Sequence, residues 1–254
     1  MIDRAKKYSR KKVVATIECR MTSSRLPGKV MLEVIDGKSM LEIMVERVKQ
    51  VREIDKIVLA TTINKTDDII EKLAKKLKIG CFRGSEKDVL LRVLGAAEKF
   101  KGDIIVELTG DCPIIDPEIV SQVIACYLHN QCDYASNCEP CTYPIGMDTQ
   151  VFSLKTLRIA DKIGKSDKDR EHVSWYIRKH PGEFRHLTLV APPNLRHPEI
   201  EITLDEIQDY ELIKKILKKL YYRKRRFTCQ DIIEVFKKEP ELLKINRSVK
   251  RKYF

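Results

Sequence analysis

The 254-residue sequence contains no apolar run approaching the ~20 residues that a membrane-spanning helix needs. Residues 1–12 are basic but include no apolar core of the kind a secretory signal carries. The expectation is a soluble, cytoplasmic protein without a membrane partner. Common binding fingerprints are missing as well. No Gly-x-Gly-x-x-Gly occurs, which argues against an NAD enzyme. The loop best suited to phosphate, residues 18–29, is not a P-loop, because position 23 is serine rather than glycine and Lys29 is followed by Val30. There is no internal repeat, no low-complexity linker, no RNP aromatic pair and no zinc-finger spacing. With no export signal, the eight cysteines are expected as reduced thiols. Cys126, Cys132, Cys138 and Cys141 could in principle offer thiolates to zinc, but the steps before the Cys138-x-x-Cys141 pair match no common zinc ribbon.

What is abundant is positive charge, a net +12 with a pI near 9.2, which raises nucleic acid as a partner. The lysines are spread along the chain opposite apolar residues, as on solvated helix faces, so nucleic acid is not the expected ligand. The densest stretch, residues 214–226, sets Ile216, Leu217 and Leu220 at helical spacing and reads as an amphipathic helix with a basic tail. Hydrophobic residues make up 43% of the chain, enough for a full core. Short apolar runs at 12–18, 57–61, 80–82 and 104–108 read as strands, and helical patterns at 41–51, 67–77, 88–100 and 117–128 alternate with them. Ser39, followed by Glu42, fits a helix N-cap, and Pro117 after Asp116 fits a helix N1 position. That alternation specifies βαβ units and an α/β fold with a mainly parallel sheet flanked by helices. Beyond Cys132 the pattern loosens, with strands expected near 134, 150–152, 184–190 and 199–203, and helices near 154–163 and 170–179.

Ligands of an open parallel sheet bind outside the carboxyl ends of its strands. The first such loop holds Arg20, Ser23, Ser24, Arg25, Pro27, Gly28 and Lys29. Arginine forks, a lysine point charge and a permissive glycine can wrap a polyphosphate; an ordinary basic surface turn is the plain alternative. Asp111, after Gly110 at the end of the strand 104–108, can hold a hard cation such as Mg²⁺ or can simply cap a turn. Asp205, after the expected strand 199–203, could share that cation, whereas Asp209 fits the first turn of a helix, where negative charge is favoured.

Read in order, Arg20-Met21-x-Ser23-x-Arg25-Leu26-Pro27-Gly28-Lys29, Ala60-Thr61-Thr62, Phe82-Arg83-Gly84-Ser85-Glu86, Thr109-Gly110-Asp111-Cys112-Pro113, Asp133-Tyr134-x-Ser136-Asn137, Arg170-Glu171-His172-Val173 and the segment 205–210 resemble the cytidylyltransferases that make CMP-activated sugar acids. The likeness is to the branch that includes spore coat polysaccharide biosynthesis protein F, related to acylneuraminate and 3-deoxy-manno-octulosonate cytidylyltransferases, and it is collinear from about Val13 to Leu217. It implies a Rossmann-like nucleotide-diphospho-sugar transferase fold over residues 1–244, with CTP bound by about 12–131, sugar by about 132–212, and a loose tail at 245–254. Arg20, Arg25, Lys29 and Asp111 would be catalytic. Ser23, Thr61, Arg83 and Ser85 would join them in binding the nucleotide, and Asp111 and Asp205 would hold Mg²⁺. Asn137, Asp148, Glu171 and His172 would face the sugar. The partners implied are CTP and an acidic sugar, with a homodimer admissible, and the product would feed cell-surface polysaccharide or glycan synthesis. Transfer to a phosphorylated sugar, alcohol or phosphonate, and a non-catalytic nucleotide or nucleic-acid binder, are the alternatives. Three departures stand out: Glu18-Cys19 where the family has Gln-Ala, Thr22 for a common glycine, and Glu206-Ile207 beside Asp205.

Overall fold

A computed structural model describes residues 10–224 and 226–250. Most of the basic segment 1–12, Arg225 and residues 251–254 of the expected tail lie outside that range.

The run Val-Val-Ala-Thr-Ile forms β1 (Val13–Glu18), and Val14, Ala15, Thr16 and Ile17 are fully buried because helices cover both faces. β1 pairs in parallel with β4 (Lys56–Thr62) and β6 (Ile104–Thr109), setting Ile17 beside Leu59 and Leu108. β5 (Gly80–Gly84) adds to β4 in parallel. On the far side, β8 (Gln150–Ser153) runs antiparallel to β6, followed by β7 (Tyr134–Ser136) and β9 (His186–Thr188). The seven strands lie in the order β5-β4-β1-β6-β8-β7-β9. Alternation along β1 assigns the two faces. Val13, Ala15 and Ile17 pack on α1 (Met40–Val48), α2 (Asp68–Leu77) and α4 (Pro117–His129) through Leu41, Met44, Ile70 and Val123. Val14, with Val58 and Ile105, packs on α3 (Val89–Lys99) and α5 (Leu154–Ile163) through Leu90, Val93 and Leu157. Ser39 and Asp116 cap α1 and α4, accepting from the amides of Glu42 and Glu118.

Four local expectations are corrected. The helix expected at 170–179 is two short ones, α6 (Asp167–Glu171) and α7 (Trp175–Lys179). His172 leaves helical geometry and Val173 turns wholly into the core, a β-branched residue whose burial outweighs helical continuity. The strand expected at 199–203 makes a single parallel bridge, Glu201 to Ile145. Its alternation survives in buried Ile200, Ile202 and Leu204, but the partner segment is bent by Pro144 and by Gly146 at φ 110°. The strand expected at 184–190 shrinks to β9. Residues 245–250 of the expected loose tail are docked: Asn246 and Val249 are buried, and the Asn246 amide donates to Glu201 O at 2.9 Å and Asp209 Oδ1 at 2.8 Å.

Three elements were not anticipated. β2 (Glu33–Ile35) and β3 (Lys38–Ser39) form a hairpin around Asp36-Gly37, both at positive φ, as a tight two-residue turn requires. Helix α9 (Cys229–Lys238) packs against α8 (Ile207–Leu220) over Ile202 and Leu204.

Candidate active site

The loop 18–29 leaves the carboxyl end of β1 and is folded back on itself by backbone bonds, Gly28 N to Met21 O at 2.8 Å and Lys29 N to Leu26 O at 3.2 Å. Gly28 sits at φ 73°, a left-handed conformation that side chains resist. Beside it, the β6 end comes so close that a Cβ on Gly110 would lie 2.8 Å from Glu18 O. Asp67 fixes the loop from below. It is fully buried and accepts from Met21 N at 2.9 Å, Thr61 Oγ1 at 2.8 Å and Thr62 Oγ1 at 2.7 Å. Burial alone would push its carboxyl upward, but these hydrogen bonds, led by Thr62 and Met21, hold it below the usual range and therefore ionised. Thr61 is thus a buried support of the loop rather than part of its surface.

Around the loop's cations, carboxylates gather from two distant segments. Lys29 Nζ lies 3.0 Å from Asp205 Oδ1 and 3.8 Å from Asp111 Oδ2, and Arg25 reaches Asp205 Oδ1 at 2.8 Å. A backbone bond from Leu204 N to Asp111 O, 2.7 Å, ties the two acidic segments together. Thr109 Oγ1 holds the other Asp111 oxygen at 2.5 Å. Asp205 is set by Asp209, whose buried carboxylate accepts from the amides of Asp205 at 3.0 Å and Glu206 at 2.9 Å at the start of α8. The Glu206-Ile207 departure is thereby absorbed into a helix cap.

The loop after β5 forms the next wall. Glu86 accepts from Thr22 Oγ1 and from Asn64 Nδ2 at 2.7 Å, and Arg20 lies 3.5 Å from it. Arg92, buried on α3, donates to Ser85 O, and Ser85 Oγ caps Asp88 N at 3.0 Å. Arg92 is also the cation that answers Glu18. Burial pushes the Glu18 carboxyl well upward, Glu107 adds to this, and Arg92 opposes it. Arg83 points elsewhere: it donates to Thr62 O and Asn64 O and pairs with Asp68 at 2.6 Å and Glu71 at 3.1 Å on α2. Its guanidinium is committed to the fold.

On the far side, Asn137 is buried, donating to Met147 O and accepting from Thr149 N, each at 2.8 Å, so it shapes the loop 137–149 from within. Asp148 stands between two charges. Burial, and next the Asp111 carboxylate, push it up to about 6, while Arg178 draws it down. His172 stacks obliquely on Trp175, ring centres 6.0 Å apart, and burial lowers its affinity for a proton. Glu171 is exposed beside it. Ser23 lies half-exposed in the loop among the cations. Asp67, Arg92 and Arg178 escaped the sequence reading, whereas Asp209 stands in the first turn of α8 as expected. Asp67 left a trace, an acidic residue shortly after Thr61-Thr62.

A cation loop facing paired carboxylates at the carboxyl edge of a mainly parallel sheet is a setting for phosphate chemistry. Residues 14–232 match the model of a family described as cytidylyltransferase. The chain belongs to the cytidylyltransferase family. It is therefore a nucleotidyltransferase, with the Rossmann-like architecture expected from the resemblance. The spore coat polysaccharide biosynthesis protein SpsF of Bacillus subtilis is 34% identical over 238 residues, covering 90% of this chain and 95% of that protein. A cytidylyltransferase from Leptospira borgpetersenii superposes with a TM-score of 0.87 at 34% identity, covering 96% of this chain and all of the other. A mitochondrial 3-deoxy-manno-octulosonate cytidylyltransferase of Arabidopsis thaliana is 36% identical over 135 residues, 48% of this chain and 42% of that protein. Among the described residues, no helix is long and apolar enough to cross a membrane, and no three His, Cys, Asp or Glu side chains form a metal-binding group.

Proposed function

We propose that this cytidylyltransferase transfers CMP from CTP to an acidic sugar of the octulosonate or nonulosonate type, releasing pyrophosphate. The observation that carries the reading is the meeting of Arg25 and Lys29 with Asp111 and Asp205. Two carboxylates held against one ammonium form a hard-oxygen set, and Mg²⁺ bound by few carboxylates plus phosphate oxygens suits it. Asp111 and Asp205 would hold that ion, which when bound supplies positive charge against the triphosphate.

The remaining work belongs to the chain. Arg20, Arg25 and Lys29 bind and orient the phosphates, with Ser23 beside them. A sugar hydroxyl oxygen attacks the α-phosphorus in line, the bond to the oxygen bridging to the β-phosphorus breaks, and pyrophosphate departs with that oxygen while the hydroxyl proton passes to water. Positioning and charge neutralisation carry most of the rate. Asp148, Glu171 and His172 flank the acceptor, while Asn137 shapes its loop. The kinship with a spore coat polysaccharide protein and with an octulosonate enzyme supports a sugar acid as acceptor. Pyrophosphate release from each of the four nucleotides, with sugar acids and phosphorylated acceptors in parallel, tests the reading. CTP with a sugar acid should turn over fastest; turnover only with phosphorylated acceptors, or equal use of all nucleotides, would overturn it.

A further inference from the structure

One cluster in the acceptor half has no role in the scheme above. The chain has a single tryptophan, Trp175, at the start of α7. Three cations surround its ring: Lys179 at 4.7 Å, Lys168 at 5.0 Å and Arg178 at 5.7 Å. Against them stands Glu139, from the loop that follows β7. It pairs with Arg178 and lies 3.5 Å from Lys179. The two partners differ in burial. Arg178 is 17% exposed and Glu139 is 49% exposed. The cation is built into the protein, and the carboxylate comes to it from solvent.

Arg178 also faces inward. Its partner Glu139 belongs to the same loop as Asp148, and the guanidinium's charge draws the Asp148 carboxyl down against burial and Asp111. His172 and Glu107 feel it too. Its buried Nε has no hydrogen-bond partner among the described residues, an uncommon state for a guanidinium donor. A planar fork with an unused edge, beside an indole face, suits a sugar that carries a carboxylate: the fork takes the carboxylate and the ring takes the sugar's C–H face.

We propose that Arg178 is the binding residue for the acceptor's carboxylate, and that Glu139 occupies its place until an acidic sugar displaces it. This rests on the acidic-sugar reading and sharpens it. Lys179 contributes charge at the rim, and Trp175 forms one wall. Displacing Glu139 returns an exposed carboxylate to water, so the exchange of one carboxylate for another leaves no buried charge unpaired.

Trp175, as the sole tryptophan, is a built-in fluorescent reporter of this place. Its emission is titrated with 3-deoxy-manno-octulosonate and N-acetylneuraminate, and with their methyl esters as neutral controls, in the wild type, Glu139→Gln and Arg178→Gln. Pyrophosphate release in the wild type and CTP affinity in all three are measured alongside. Glu139→Gln should bind at least one acid several-fold more tightly than the wild type, and Arg178→Gln should bind it about tenfold more weakly. The esters should bind weakly throughout, CTP affinity should not move, and the acceptor KM should follow these changes at little-altered kcat. Acid binding that ignores both substitutions, or that the esters match, overturns the assignment, as does a Glu139→Gln protein that takes up neither acid. Wild-type turnover of a sugar acid without these shifts sinks only the Arg178 assignment. Absence of turnover with any sugar acid sinks the acceptor reading itself. Should Arg178→Gln melt early, Arg178→Lys keeps the charge, loses the fork and should still weaken acid binding alone.

Discussion

Lys29 draws together carboxylates from the end of β6 and from the approach to α8, and it is only 14% exposed. That burial separates it from an ordinary surface lysine, whose ion pairs contribute little. Lys29→Ala should therefore cost about 1 kcal/mol of stability as well as weakening CTP binding by roughly tenfold or more. Calorimetric melting beside CTP titration checks both, and wild-type CTP affinity would reduce the loop to a basic turn. Asp111 gives the sharper separation of function from architecture. Asp111→Asn keeps an oxygen for Thr109 to donate to, so the melting temperature should move by no more than about 4 °C. Turnover should fall by orders of magnitude, because the charge that would hold a divalent ion is gone. A variant that melts early yet turns over normally would place Asp111 outside the chemistry.

At the scale of elements, Asp205 is positioned by the first turn of α8. Asp209 accepts from the amides of Asp205 and Glu206 and is itself gripped by Asn246, so the helix start, Asp205 and the docked segment around Asn246 form one unit. Asp209→Ala removes a cap and strands a buried amide. It should cost about 2 kcal/mol, with kcat falling per folded molecule because Asp205 loses its anchor. Asn246→Ala should destabilise the fold less and leave kcat nearly intact; equal loss of kcat in both would mean that Asp205 is set by something other than Asp209. This unit also shows where sequence reading stops. The parallel core was legible because strands buried on both faces, such as 13–17, are nearly continuous apolar runs, and the helices between them carry their own caps. The cation loop was legible because its chemistry is concentrated within a dozen residues. Asp67 and Arg92 were not, because each is an ordinary polar residue until the fold buries it against amides or charges contributed by distant segments; Asp209 was legible as a first-turn residue of α8 but not as the anchor of Asp205. The ion pairs of Arg83 were hidden for a related reason: its acidic partners on α2 lie close in sequence, but only the register of β5 beside β4 turns it toward them.

For the whole molecule, the buried carboxyls of the central sheet set how stability responds to pH. Glu107 on β6 is 4% exposed and diagonal to Glu18 on β1. Burial pushes it up to about 7, against hydrogen bonds from Ser174 and Gln150 and the charge of Arg178, which pull it down. Glu18 is raised in the same direction, by burial first and by Glu107 next. The folded protein therefore holds protons that the unfolded chain releases above its ordinary carboxyl range. The stability Glu107 contributes is complete below about pH 4.5 and is lost as pH rises through about 7, on the order of 1 kcal/mol per pH unit across that window. Other groups act in opposite senses. Asp67 and Glu86, held below their usual values, lose their contribution only in more acidic solution. His172, which burial keeps neutral, favours the fold as pH rises toward its ordinary value. A difference measurement isolates the sheet carboxyl from these. Glu107→Gln mimics the protonated side chain, so its melting temperature should match the wild type near pH 4.5 and exceed it by several degrees at pH 8. Melting curves of both proteins across that range, without nucleotide or metal, read the gap directly. A gap that stays constant with pH would show Glu107 ionised in the fold and Arg178 already its counter-ion, leaving that guanidinium committed before any sugar arrives.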